Sequence, residues 1–216
     1  MNITTVEELQ SKIDKDLAWR KKELSEIKFL IDRSTEGTLP INLRIGIVII
    51  YAHWEGFIKN GGDWYVNFLK QKGLKFSELR ENFIALALRG NFKACGTTEK
   101  TSIHHSIVKI LINGLDDIAP IPYEKAIKTN SNLDYETFHE IVFTLGLDDK
   151  NFELRKNLIN EVLLEQRNTI AHGQRYMVER TDFDVLYEKI IPLLEQYKFE
   201  ILNSAQNELY KRNNPV

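Results

Sequence analysis

Apolar residues recur at intervals of three and four along most of the chain, and this spacing constrains the fold more than any other feature. In the first periodic segment they are Leu9, Ile13, Leu17, Leu24, Ile27, Leu30 and Ile31. Such spacing places the side chains on one face of an α-helix. Because no strand-like alternation of useful length is present, the sequence predicts an all-α chain.

The periodic segments together predict a helical bundle of about six or seven helices. Thr4 or Thr5 is a plausible cap for a first helix that reaches about Asp32. Pro40 can open a second helix, which we extend to about Lys72. The other predicted helices cover residues 76–89, 99–113, 134–145, 152–172 and 181–211, with a loop over 91–98 and a surface excursion over 114–133.

The second helix is the most apolar in the chain, and we expect it at the centre of the fold. Its apolar run over residues 45–52 is far shorter than the roughly 20 residues that cross a bilayer, so no membrane segment is predicted. Gly61 and Gly62 weaken a helix at this point. Apolar spacing resumes at Trp64, and the helix is therefore predicted to continue.

The composition is that of an ordinary globular protein and argues against some classes of partner. No linker divides the 216 residues, so we predict one domain over residues 1–216. A net charge of -2 argues against a protein that grips duplex DNA through many phosphates. Cys95 is the single cysteine, and the N-terminus lacks the regions of a secretion signal, so we expect a cytoplasmic protein.

Two familiar motifs for metal and nucleotide binding do not occur. His139 and Glu140 begin like a zinc protease helix, but Phe143 occupies the position of the second histidine. Gly96 and Lys100 do not have the spacing of a P-loop, and no predicted strand precedes them. We therefore expect no metal ion and no cofactor.

One short segment brings together groups that can handle a phosphate. Arg167, Asn168 and His172 lie on a predicted helix that Gly173 ends. Arginine offers a permanent charge and a planar fork of donors, and histidine changes protonation near neutral pH. The same residues also have a purely structural interpretation, in which His172 favours the negative end of the helix dipole and Gly173 caps the helix.

The spacing of this segment leaves its geometry open. On an ideal helix Asn168 and His172 lie one turn apart, whereas Arg167 lies about 140° from His172. One phosphate can contact both Arg167 and His172 if the arginine curls toward the helix end or if the helix unwinds near Gly173. It can also do so if two copies of the motif meet across a two-fold axis.

The segment resembles the signature of the HEPN superfamily (higher eukaryotes and prokaryotes nucleotide-binding). That signature is an arginine and a histidine separated by four to six residues (R-x4-6-H), with a polar residue after the arginine. Residues 171–173 end the segment as family members often do, and residues 49–57 resemble the second helix of a prokaryotic branch found in toxin and conflict systems. With the order of the helices, the resemblance covers most of the chain.

The resemblance implies a metal-independent endoribonuclease of a toxin–antitoxin or defence system. It also implies a homodimer, in which the motifs of two subunits line one cleft. His172 would exchange a proton with the ribose 2′-hydroxyl or the departing 5′-oxygen, and Arg167 would bind the phosphate. Asn168 would orient the imidazole or a phosphate oxygen. Because the nucleophile belongs to RNA itself, DNA would not be cut.

Two residues of the second helix are expected to support this site. Glu55 lies on the most apolar helix and needs a partner such as Arg167, because an unpaired carboxylate is costly there. His53 is near Glu55 in sequence and is a second supporting candidate, although its pattern fits a hydrogen-bonded core histidine better.

Two other functions are compatible with the same residues. The first is a non-catalytic HEPN-like module that binds RNA or nucleotide, or docks a partner protein such as an antitoxin or a defence-complex subunit. The second is a structural helical adaptor, since one fold supports many functions.

Overall fold

Three long helices form the centre of the fold. In the computed structural model, which describes residues 2–122 and 126–212, they are α1 (Val6–Asp32), α2 (Leu39–Gln71) and α8 (Arg180–Gln206). Each of them packs against the other two. The described residues form no β-strand, which confirms the prediction of an all-α chain.

The first two helices begin where the sequence predicts. The Thr5 hydroxyl accepts a hydrogen bond from the Glu8 N–H at 3.2 Å, and the Glu8 carboxylate accepts one from the Thr5 N–H at 3.3 Å. This reciprocal pair satisfies two N–H groups that the helix leaves without partners. Pro40 lies in the first turn of α2, where its missing N–H costs no helical hydrogen bond.

Shorter helices pack around this centre. They are α3 (Glu81–Ala87), α4 (Arg89–Cys95), α5 (Thr101–Asn113), α6 (Tyr135–Thr144) and α7 (Gln166–Ala171). Short 3-10 turns lie at Phe76–Glu78 and Glu153–Arg155, and a π-helix covers Leu158–Glu165. The described ranges thus contain eight α-helices, more than the six or seven predicted.

The extra helix lies where the sequence predicts a loop. Residues 91–98 were expected to be irregular, but α4 occupies most of that range. The predicted helix over 76–89 is instead a 3-10 turn followed by α3. Leu88 joins α3 to α4 with φ -89° and ψ 2°, outside helical geometry, so the backbone changes direction there and a new helix begins at once.

The predicted helix over 152–172 differs in its winding. Its middle is a π-helix, in which backbone hydrogen bonds join residues five apart rather than four. The buried residues follow that spacing, because Leu158 and Leu163 form one pair and Ile159 and Leu164 form the next. Burial of these side chains against α2 and α8 accounts for the wider turn.

The irregular stretch over 114–133 is not simply a surface excursion. Its described residues form no helix, as predicted, but Ile121, Ile127 and Leu133 are buried in the core. Residues 123–125 of this stretch lie outside the described ranges. The segment therefore packs onto the central helices and can position groups at their surface.

By length and composition alone, α2 is long and apolar enough to cross a membrane, and no other helix in the described ranges meets that test. Half of its most apolar 18-residue window is buried within the fold. The helix packs against α1, α7 and α8. We therefore interpret α2 as the core helix that the sequence predicts.

Gly62 provides a test of this packing. A Cβ atom at Gly62 would lie 2.8 Å from Ile127 Cγ1 and 3.1 Å from the Tyr197 hydroxyl. We expect Gly62→Ala to lower the free energy of unfolding by about 1 kcal/mol. Overpacking destabilises the protein by about 2 kcal/mol, whereas the higher helix propensity of alanine stabilises it by about 1 kcal/mol. Urea denaturation measures the change.

Gly90 is the matched control for this substitution. It lies within α4, and a Cβ atom there would meet nothing within 4 Å. Gly90→Ala should therefore raise the free energy of unfolding by up to about 1 kcal/mol. Equal stabilisation by both substitutions would contradict the close approach of Ile127 and Tyr197 to α2.

Candidate functional site

The Arg167 guanidinium is held by partners from three parts of the chain. Its central carbon lies 3.9 Å from the centre of the Tyr51 ring, within the range of a cation–π contact. Nη2 donates a hydrogen bond to the Ser131 carbonyl oxygen at 2.9 Å and lies 3.7 Å from Glu55 Oε2. Nη1 donates to Asn168 Oδ1 at 2.6 Å. The orientation of the guanidinium is therefore fixed before any ligand binds.

Tyr51 and Glu55 lie one turn apart on α2 and form the base of this arrangement. The ion pair confirms the prediction that Glu55 has Arg167 as a partner. Glu55 Oε1 also accepts a hydrogen bond from the Thr129 hydroxyl at 2.5 Å. The Tyr51 hydroxyl accepts one from the Leu133 N–H at 2.7 Å. Burial raises the pKa of Tyr51 to about 12, so the ring remains a neutral phenol at physiological pH.

The turn that contacts Arg167 has an unusual backbone. Asn130 and Ser131 both adopt left-handed conformations, with φ of 54° and 56°. Such conformations are uncommon for residues other than glycine, and asparagine tolerates them better than serine does. They persist where surrounding contacts stabilise them, as the bonds to Thr129, Ser131 and Leu133 do here.

The Asn168 side chain contacts the residues around Arg167 and not the His172 imidazole. Its Oδ1 accepts from Arg167, and its Nδ2 donates to Asn132 Oδ1 at 3.1 Å. Both ends of the amide thus bond to residues of one group, which we call the Arg167 cluster (Tyr51, Glu55, Ser131, Asn132, Arg167 and Asn168). Neither end contacts the His172 imidazole. In this structure Asn168 positions the guanidinium.

His172 lies at the C-terminal end of α7 and is exposed to solvent. Its N–H donates to the Asn168 carbonyl at 2.9 Å, and Gly173 follows with a φ of 73°, as a helix-ending glycine does. Within the described ranges, the imidazole makes no hydrogen bond, ion pair or ring contact. Arg167 and His172 are therefore not joined to each other within one chain.

His53 lies in the interface between α1 and α2, away from this cluster. It is buried, with Nε2 2.8 Å from Glu23 Oε2 and Nδ1 3.3 Å from Arg20 Nη1. Burial and the charge of Arg20 lower the pKa of His53 and favour the neutral ring. The structure thus supports the core-histidine interpretation and does not place His53 beside Arg167.

Sequence reasoning missed several residues that hold Arg167 or its partner Glu55. Tyr51 could have been found from its position one turn before Glu55 on α2. Thr129 and Ser131 had no comparable signal, because their contacts depend on how a long irregular segment packs. Among the described residues, no group of three or more His, Cys, Asp or Glu side chains could hold a metal ion.

The site therefore consists of a fixed cation in the first turn of α7 and an unpartnered imidazole at its C-terminal end. The Arg167 side chain is 19% exposed, so part of the guanidinium can still meet a ligand. Arginine binds phosphate oxygens through paired donors, and a free imidazole can accept or donate a proton. Together these groups can bind a phosphate and move a proton.

Comparison with known proteins identifies the family. Residues 9–210 match a family model described as HEPN_MAE_28990-like HEPN, which covers nearly the whole chain. No curated protein and no solved structure matches the chain. The match agrees with the all-α fold and with the sequence resemblance. The chain belongs to the HEPN_MAE_28990-like family of HEPN domains.

Proposed function

We propose that this protein is a metal-independent endoribonuclease whose site contains Arg167 and His172. The observation that carries the proposal is the pairing of a pre-oriented, partly exposed guanidinium with a free imidazole five residues later in a HEPN domain. Four partners hold Arg167 in place, so binding a phosphate would cost little side-chain entropy.

The chemistry follows from these two groups. The ribose 2′-oxygen attacks the adjacent phosphorus while an imidazole removes its proton. The bond from phosphorus to the 5′-oxygen then breaks, and a second, protonated imidazole donates a proton to that oxygen. The products are a 2′,3′-cyclic phosphate and a free 5′-hydroxyl. Arg167 stabilises the charge that develops on the phosphate oxygens.

A dimer would supply the second imidazole that one chain lacks. Each chain has one His172, whose imidazole makes no hydrogen bond, ion pair or ring contact in the described ranges, whereas the reaction uses one base and one acid. Two chains related by a two-fold axis bring two imidazoles and two guanidiniums to a shared cleft. Asn168 then acts indirectly, by holding Arg167 toward the cleft.

The biological role that fits such an enzyme is that of a toxin or defence effector in the cytoplasm. An enzyme that grips RNA through its backbone phosphates and ribose would cut the RNA of its own cell. Its activity would therefore need restraint by a partner, such as an antitoxin or another subunit of a defence complex.

A second candidate function is a non-catalytic module that docks a partner protein. The exposed apolar surface of α5 favours it, because Ile107 is its one buried residue while Val108, Leu111 and Ile112 face solvent. Exposed apolar surface of this kind is typical of protein interaction sites.

The catalytic proposal predicts loss of activity on substitution of either residue. His172→Ala should reduce cleavage of a labelled single-stranded RNA at least about 100-fold, because proton transfer contributes that much or more. Arg167→Lys keeps the charge but removes the planar fork, and should also reduce the rate. Arg155→Gln is the control, since Arg155 is exposed and lies outside the site. Cleavage by His172→Ala at the wild-type rate would refute the proposal.

The mechanism also predicts the products and the substrate requirement. RNA should be cut in the presence of a chelator and should leave a 2′,3′-cyclic phosphate, identified by mass spectrometry. Replacing the attacking ribose with 2′-deoxyribose should block cleavage at that linkage, because the nucleophile is then absent. Equal cleavage of the deoxy-substituted strand would show that the 2′-oxygen is not the nucleophile.

A further inference from the structure

A groove beside residues 170–174, which we call the His172 segment, carries two arginines that the proposed reaction does not use. The groove has a volume of about 410 Å³ and lies between the start of α2 and the segment that follows α7. Arg44 comes from α2, and Arg175 follows His172 by three residues. Arg44 Nη2 donates a hydrogen bond to the Gln174 carbonyl at 3.2 Å, which joins the two sides of the groove.

Neither of these arginines forms an ion pair with a residue in the described ranges. Arg180 lines the same groove, but it pairs with Asp32 and, at 2.9 Å, with Asp184. Glu179 is the acidic residue along this surface. Arg44 uses one of its five donors on a neutral carbonyl, so its charge and most of its donors are free for an anion.

The groove is continuous with the surface that carries His172. Arg44 also borders a neighbouring groove that Ile170 lines, and it reaches Gln174 on the other side. Ile170 and Gln174 lie two residues before and two residues after His172. Arg44 is therefore close to the chain on both sides of the free imidazole.

The same face of α2 connects this groove to the Arg167 cluster. Arg44, Tyr51 and Glu55 are spaced seven and four residues apart, so they share one side of the helix. Arg44 lies about 10 Å along the helix axis from Tyr51, which holds Arg167. Arg167 contacts Tyr51 and Gln174 contacts Arg44, so the chain between them, which contains the His172 segment, runs along this side of α2.

We infer that Arg44 and Arg175 form a phosphate-binding subsite for single-stranded RNA. This inference rests on the proposed function. A strand whose scissile phosphate lies at Arg167 and His172 would place a neighbouring phosphate over Arg44 and Arg175. Guanidinium groups without carboxylate partners bind such phosphates through charge-assisted hydrogen bonds. The subsite holds the strand and takes no part in proton transfer.

The test measures binding of an RNA octamer in a His172→Ala background, where the strand is not cut. Fluorescence anisotropy gives the dissociation constant at several salt concentrations. Arg44→Gln and Arg175→Gln should each weaken binding about fivefold at low salt. Each should also reduce the slope of log affinity against log salt by about 0.7, the value for one lost contact to a single-stranded phosphate. Arg155→Gln should change neither quantity.

Two further measurements separate binding from folding. Arg44→Lys retains the charge and should restore much of the salt dependence that Arg44→Gln loses. Arg175 is exposed, so Arg175→Gln should leave the unfolding transition unchanged. A loss of binding with Arg175→Gln in a fully folded protein would support the subsite.

The outcomes distinguish this inference from the proposed function. If the wild-type protein cuts RNA and both glutamine variants bind the octamer with unchanged affinity and slope, the subsite assignment is wrong and the proposed ribonuclease activity is supported. If the wild-type protein cuts no RNA but the variants still lose affinity as expected, the subsite assignment is supported and the proposed reaction is wrong. A mononucleotide that binds as tightly as the octamer, with the same dependence on Arg175, would overturn the assignment to an RNA strand.

Discussion

The contact between the Arg167 guanidinium and the Tyr51 ring joins the C-terminal half of the chain to the central helix. A partly desolvated cation–π contact of this kind contributes about 1 to 2 kcal/mol. A half-buried charge also needs polar partners, which Glu55 and the Ser131 carbonyl provide. These partners belong to α2 and to the turn before α6, so the guanidinium ties three segments together. Together with the packing of α7 against α2 and the π-helix, this contact helps to position His172.

The same arrangement places a fixed cation and a free imidazole at different positions of a short stretch of chain. Arg167 faces α2 through Tyr51, and the Asn168 side chain bonds to Arg167 and to Asn132. His172 lies at the end of α7, where Gly173 ends the helix and leaves the imidazole exposed. A fixed cation and a free proton-transfer group are what phosphoryl chemistry at an RNA backbone needs. Because no contact joins the two groups within one chain, we propose that the reaction takes place between two chains.

Local signals in the sequence were sufficient to predict the long helices and part of the site. The Thr5 cap and Pro40 located the starts of α1 and α2, and the apolar character of α2 identified both its central position and the need of Glu55 for a partner. The π-helix could not be predicted with a fixed angle per residue, because packing of Leu158 and Leu163 selects the wider turn. The contacts of Thr129 and Ser131 depend on residues far away in sequence, which spacing alone does not reveal.

The shared cleft can be tested most directly with mixed dimers. One subunit would be wild type and the other would carry His172→Ala, with different tags so that the heterodimer can be purified. The cleft between them would keep both guanidiniums but only one of the two imidazoles that the proposed reaction uses. We predict that the heterodimer cuts single-stranded RNA at far below half of the wild-type rate, close to the level of the His172→Ala homodimer. A heterodimer that keeps about half of the wild-type activity, as two independent sites would, would contradict a cleft shared between subunits.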